Sequence, residues 1–325
     1  MEDYQDKINI SSIPEIEIKS LPEYINLICQ IARVWRNYIG PIDYVDNETE
    51  TDDSYHDVRE PFPGELIPWF RGNRLSKYNL EPALLRENNT LGMERYLAGM
   101  ENNGNDKTNV LSVIKSIEGY MMRRFITAGL PHTNVKHQET MQWMMLMQHN
   151  GLPTRLLDWT KSSLVALHFA VTKKMDDEEN KSKHCSVWML DPRRLQESHG
   201  EGRRKIYTDV DNKVKAYLSL EKDSISSKVP IPVIPSHVHD RIIAQQSRFT
   251  LHNHVRNSLH NFGSQVAEES GCPPLVKILI PSEFKDDFGK GLRLMGVSVQ
   301  EVIPGLDSIA EEIRRRMLLS VKGMY

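Results

Sequence analysis

Three stretches of the chain carry apolar residues at helical spacing. Over residues 21–38, Tyr24, Leu27, Ile28, Ile31, Val34 and Tyr38 recur every three or four positions, which predicts an amphipathic helix. Residues 110–125 repeat the pattern with Ile114, Ile117, Tyr120, Met121 and Phe125 on one side. Glu118, Arg123 and Arg124 then fall on the other side, as solvated charge. Residues 142–170 read as helix, turn, short extended piece, turn, helix. Met144, Met147 and Gln148 fit the first helix, and Asn150-Gly151 followed by Pro153 stops it. Residues 154–157 can be extended, and residues 158–163 form a polar bend of Asp, Trp, Thr and two Ser. Leu164, Ala166, Leu167 and Ala170 then resume an apolar helical face.

Strand signals are shorter. Trp69-Phe70 precedes Arg71 and Gly72, and the glycine ends the strand or lets another backbone or a ligand approach. Residues 185–190, 249–251, 275–280 and 297–304 complete the predicted strands. Residues 282–295 read as an amphipathic helix with Ser282 as N-cap and Gly296 as terminator, and residues 306–319 as a last, Arg-rich helix. Residues 1–20 look like a loose arm and residues 46–57 like a solvated acidic loop, while residues 195–228 support no assignment. The expected organisation is a helical arm with the acidic loop over residues 1–58 and one folded domain over 59–325.

Composition narrows the class. With 325 residues, 39% hydrophobic and 26% charged, the chain can bury a full core. No apolar run approaches the roughly 18 residues of a membrane span, and the acidic first residues carry no secretory signal, so the expected location is the cytoplasm. A net charge of −3 argues against a broad nucleic-acid surface and leaves local basic clusters open. The three cysteines are far apart, and His-Glu-x-x-His does not occur. His252 and His254 would face one side of a strand, more naturally as a surface strand face than as metal ligands, so no metal is expected.

Several residues carry candidate chemistry. Arg71, flanked by large aromatics, reads equally as a structural arginine on a carboxylate or as an anion site, since the guanidinium fork suits phosphate. Asp158 reads as a turn residue bonding its own backbone or as an available carboxylate. His149 reads as a helix-end residue or as a base at neutral pH, and Trp159 as core rather than a stacking platform.

Three motifs together resemble the bacterial FRG domain, named for a Phe-Arg-Gly signature. They are Phe70-Arg71-Gly72; then Gln148-His149-x-Gly151-Leu152-Pro153-Thr154-Arg155-Leu156-Leu157-Asp158-Trp159-Thr160; then Arg241-Ile242-x-Ala244-Gln245 followed by Phe249-Thr250. The resemblance spans roughly residues 60–310. The motif order is similar to that of ADP-ribosyltransferases: Arg or His on a first strand, a Ser-Thr-Ser-type turn before a helix, and a Glu near a later strand.

That likeness implies an α+β fold, a split β-sandwich around a nicotinamide-dinucleotide cleft with flanking helices. It implies NAD as substrate and a protein or nucleic acid as acceptor, in a toxin or anti-phage effector. Arg71, Asp158, His149 and Gln245 are the implied catalytic set. Arg71, Gly72, Thr160, Ser162, Ser163 and Gln246 are the implied cofactor contacts. The chain departs from the pattern at the Glu, where Gln245 and Gln246 stand. An amide can bond a ribose hydroxyl but cannot take its proton. A sensing module that binds a nucleotide or a partner without turnover is therefore the alternative, and a hydrolase using His149, Asp158 and His168 a third reading.

Overall fold

The computed structural model describes residues 12–39, 68–86, 107–133, 139–172, 183–199, 206–219, 229–236, 240–254 and 258–321. Within them the fold is mixed α and β, with an eight-stranded, mostly antiparallel open sheet. The strands are β1 (Glu15–Glu17), β2 (Trp69–Asn73), β3 (Leu156–Thr160), β4 (Cys185–Leu190), β5 (Tyr207–Thr208), β6 (Ile231–Ile234), β7 (Ser247–Leu251) and β8 (Leu275–Ile280), in the order β1-β8-β4-β2-β3-β7-β6-β5. Only the outer pairs, β1 with β8 and β5 with β6, run parallel.

The middle of the sheet is its weak seam. β2 pairs with β4 along all five of its residues, and β3 pairs with β7 along all five of its own. Between β2 and β3 there is a single registered pair, Phe70 with Thr160. The strands splay apart beyond it, so backbone groups that a ladder would satisfy need other partners.

Ten helices surround the sheet among the described residues: α1 (Leu21–Ile39), α2 (Lys107–Gly129), α3 (Thr140–His149), α4 (Ser163–Val171), α5 (Asn212–Leu218), α6 (Asp240–Ala244), α7 (Leu259–Ser270), α8 (Lys285–Leu294), α9 (Val299–Val302) and α10 (Leu306–Val321). One core forms where α1, α4 and α8 cover β2, β4 and β8. Tyr24, Leu27 and Ile31 of the predicted face are buried there, joined by Trp35 where Val34 was expected, at about 1.5–3 kcal/mol for each large apolar side chain. A second core packs α3 and α5 against β3, β6 and β7. A third gathers Trp69, Trp159 and Trp188 with Leu157, Leu190 and Leu275.

Several expectations need correction. Residues 15–17 are a strand on the sheet edge rather than part of a loose arm. Residues 158–160 are strand, not bend. The strand expected over residues 297–304 is helix α9, because Ser298 and Glu301 form a capping box that outweighs the β-branched residues around it. The helix expected from Ser282 begins as a 3₁₀ turn, Ser282–Phe284, whose N-cap is Pro281, and continues as α8. Gly296, at φ 76°, follows its end as expected. The acidic loop at residues 46–57 lies outside the described residues. No helix among the described residues is long and apolar enough to cross a membrane.

Glu118 is the largest correction. It is 2% exposed, and its carboxylate takes both oxygens to Arg155 Nε at 2.8 and 2.9 Å. Arg155 is fully buried and also donates from Nη1 to the carbonyls of His252, at 2.7 Å, and Tyr217. His254 Nε2 meets the same carboxylate at 2.7 Å. Burial alone would raise the Glu118 pKa, but Arg155 and His254 outweigh it and hold it at about 2. His252 and His254 are therefore buried partners of this cluster rather than a surface strand face.

Candidate functional site

A cavity of 570 Å³ opens at the seam between β2 and β3, within the range of small-molecule sites. All three sequence motifs reach it. Phe70, Arg71, Gly72 and Asn73 come from β2, Asp158, Trp159 and Thr160 from β3, and Gln245 and Ser247 from the turn into β7. α3 adds Gln148 and His149, α4 adds His168 and Phe169, and α10 closes one side with Glu311 and Arg315.

Arg71 occupies the split itself. Its Nη1 donates to the Asp158 carbonyl at 2.7 Å, taking up a group that the broken ladder leaves unpaired. The same nitrogen stands 3.8 Å from the Asp158 carboxylate, an ion pair too long for a hydrogen bond. The Arg71 side chain is 17% exposed, and its Nε is buried without an acceptor among the described residues. Burial lowers the guanidinium pKa, and Asp158 works against that shift.

Gly72 is needed for packing. A Cβ on it would stand 1.9 Å from the Ala166 carbonyl oxygen and 2.8 Å from the Ala170 nitrogen, both backbone atoms of α4. The glycine lets α4 lie directly on β2, which fixes the helix that carries His168. It also lines the cavity.

Asp158 presents a carboxylate that is 60% exposed. Its Oδ1 accepts from Gln148 Nε2 at 2.6 Å, and Gln148 Oε1 in turn accepts from the Thr154 hydroxyl. An amide whose oxygen is engaged by a hydroxyl must turn its NH₂ the other way. Thr154 thus sets the orientation of Gln148, and Gln148 that of Asp158. Both lie inside the quoted middle motif, whose sequence carries no signal of this relay.

The hydroxyls expected to touch a ribose are engaged locally. Thr160 Oγ1 donates to the Gln245 carbonyl at 2.6 Å and accepts from the Ser162 amide at 3.0 Å. Ser162 is the N-cap of α4, accepting from the Val165 amide at 3.2 Å. Neither Ser162 nor Ser163 is among the cavity-lining residues, and the Ser163 carbonyl accepts from the Tyr24 hydroxyl. Thr160 does line the cavity. Gln246 sits in the turn before β7 with φ 47°, away from the lining; its amide closes the turn on the Ile243 carbonyl at 3.0 Å, and its own carbonyl accepts from the Lys161 amide at 3.1 Å, one step beyond the β3–β7 ladder. Gln245 does reach the cavity, and its Nε2 is buried without an acceptor among the described residues.

His149 ends α3, exposed and on the cavity rim. His168 is 6% exposed, with Nδ1 3.3 Å from the Thr172 hydroxyl. Burial, then Arg315, pushes its pKa down to about 4, so it is neutral near pH 7. Trp159 is core, as expected, with its indole nitrogen donating to Thr250 Oγ1 at 3.1 Å. The lining holds five arginines (Arg71, Arg74, Arg86, Arg241, Arg315) against two carboxylates, Asp158 and Glu311. The cavity is therefore electropositive, although the chain carries a net charge of −3.

The same span of chain is recognised by family comparison. Residues 67–179 match the family model described as the FRG domain. That span runs from β2 through α4 and includes Arg71 and Gly72 of the Phe-Arg-Gly signature, both of which line the cavity. No curated protein and no solved structure matches the chain. No group of His, Cys, Asp and Glu suited to a metal ion occurs among the described residues.

Proposed function

We propose that the cavity takes NAD and that the protein is an NAD-dependent ADP-ribosyltransferase-like enzyme, acting on a protein or nucleic acid as a toxin or anti-phage effector. The observation that carries this reading is convergence. Arg71, Asp158 and Gln245, from three distant motifs, line one electropositive cavity at the split of the sheet. The order of these three motifs along the chain is what resembles the transferases.

The buried, acceptor-less Arg71 Nε and Gln245 Nε2 favour a ligand rich in acceptors, such as a pyrophosphate and ribose hydroxyls. In this reading the guanidinium of Arg71 holds the pyrophosphate or a ribose hydroxyl. Asp158, fixed by Gln148, offers its carboxylate to the cation that develops at the ribose carbon as the nicotinamide bond breaks. Nicotinamide leaves neutral, and water or an acceptor nucleophile forms the new bond to that carbon, losing its proton to the carboxylate or to solvent. Gln245 donates to a ribose hydroxyl without taking its proton.

Gln245, standing where a Glu is expected, favours a second reading, a sensor that binds the nucleotide without turnover. Incubation with NAD labelled in the adenine half, with and without cell lysate, separates the two. Nicotinamide release or transferred label, lost in Asp158→Ala, supports the enzyme. Binding without either supports the sensor, and absence of binding ends both.

A further inference from the structure

Helix α10 is built inside out. Its inward residues are polar: Ser308 and Glu312 are 7% and 3% exposed, and Glu311 and Arg315 line the cavity. Its outward residues are apolar: Leu306 is 84% exposed, Ile309 43%, Ile313 55% and Met317 66%. Their spacing of three, four and four residues makes one continuous stripe along the helix. A surface helix of a monomer shows the reverse arrangement, so a stripe of this kind marks a contact.

The charges beside the stripe indicate what covers it. The first half of the helix is acidic, with Asp307, Glu311 and Glu312, and the second half basic, with Arg314, Arg315 and Arg316. Glu311 pairs with Arg315 and Glu312 with Arg316 within the helix. Asp307 and Arg314 are seven residues apart on the same flank of the stripe, and neither makes an ion pair among the described residues. A parallel copy would set acid against acid. An antiparallel copy sets the Asp307 end of one helix against the Arg314 end of the other and brings Ile309 against Ile313. A self-complementary surface of this sort is that of a two-fold dimer.

We infer that the stripe on α10 is the dimer interface of this protein, with a second copy packed antiparallel across it. Because the opposite face of α10 forms one side of the cavity, the dimer contact also steadies that wall, whatever the cavity binds.

Sedimentation velocity of the full chain across the micromolar range tests the inference. The expected result is a monomer–dimer equilibrium. Ile313→Glu, at an exposed position, is expected to give a monomer that melts at the temperature of the wild type diluted below its dimer Kd. Asp307→Arg alone and Arg314→Asp alone are each expected to weaken the dimer by about tenfold or more in Kd, and the two together to restore it. A wild-type chain that stays monomeric, including one that instead captures another protein on the stripe, overturns the inference. So does a dimer that survives Ile313→Glu, or a double reversal that fails to restore association.

Discussion

Two arginines, both set in the quoted motifs or beside them, show how a structural ion pair differs from a site. Arg155 is fully buried, bonds both oxygens of a carboxylate that is itself 3% exposed, and reaches two carbonyls besides. Arg71 makes one hydrogen bond to a carbonyl and stands 3.8 Å from a carboxylate that is 60% exposed, beside an open cavity. The first pair is spent on holding α2, β3 and the chain after β7 together. Arg71 lines the cavity with its side chain 17% exposed, where Arg155 is fully buried. In sequence the two look alike, an arginine next to apolar residues with no partner nearby.

The largest expected effect lies on the Arg155 side. Glu118→Ala leaves a buried guanidinium uncompensated, and loss of one partner of such a pair costs about 3–5 kcal/mol. Urea unfolding is expected to show this loss for Glu118→Ala and for Arg155→Met. The double change to Glu118→Leu with Arg155→Met is expected to be milder than either alone, since an apolar pair leaves no unpaired charge. Equal or greater loss in the double variant would show that the ions contribute more than their own desolvation.

Gly72→Ala comes next. Its Cβ would overlap the α4 backbone at Ala166 and Ala170, which cannot move as a side-chain tip can. Overpacking of this kind costs about 1–3 kcal/mol, and thermal melts are expected to fall accordingly. This result would separate the two adjacent signature residues, the glycine belonging with Arg155 as a structural element and the arginine with the cavity.

Acid should act on the buried cluster as well. His252 is held at about 3, chiefly by burial and then by Arg155, against an ordinary 6.5. The unfolded chain therefore takes up a proton that the folded chain refuses. Stability from His252 is full above pH 6.5 and is lost as pH falls from there towards 3. Glu118, held at about 2, contributes in the same sense over a lower window, losing its share as pH falls from 4.5 towards 2. Melting temperature is expected to decline from pH 6.5 downward, and His252→Asn to flatten the upper part of that decline. A profile unchanged by His252→Asn would remove the histidine from the account.

What could be read from the sequence follows the range of each signal. Helix faces and the apolar strands at 185–190 and 275–280 were legible because their periodicity is local. The Ser298-x-x-Glu301 cap is equally local, but the β-branched residues around it carry the opposite signal. Glu118 looks solvated in sequence because periodicity sorts residues by face and says nothing of a partner 37 positions away. At the site, Arg71 and Asp158 were legible through their motifs. A Thr-x-Ser before an apolar helix is also a capping pattern, and Ser162 serves as that cap with its amide bonded to Thr160, which still lines the cavity. The wall supplied by α10 had no sequence signal at all, since its distance from the motifs is spanned only by the fold.

The smallest effect on stability is expected at Arg71, and the comparison rests on it most directly. Arg71→Ala frees the Asp158 carbonyl, but that oxygen lies at an open cavity where water can replace the guanidinium, so the loss should stay near 1 kcal/mol. Binding should respond far more. On the proposed reading that the cavity takes NAD, loss of both the fork and its unpaired Nε is expected to weaken the affinity measured by calorimetry by about tenfold or more, a change of about 1.4 kcal/mol. Arg71→Lys keeps the charge but not the fork, and is expected to recover little of the affinity, because an ammonium cannot reach the Asp158 carbonyl and a phosphate in one plane. Unfolding of Arg71→Ala on the scale of the Arg155 variants, with unchanged affinity in whatever folds, would place the two arginines in one class and leave the cavity without its anchor.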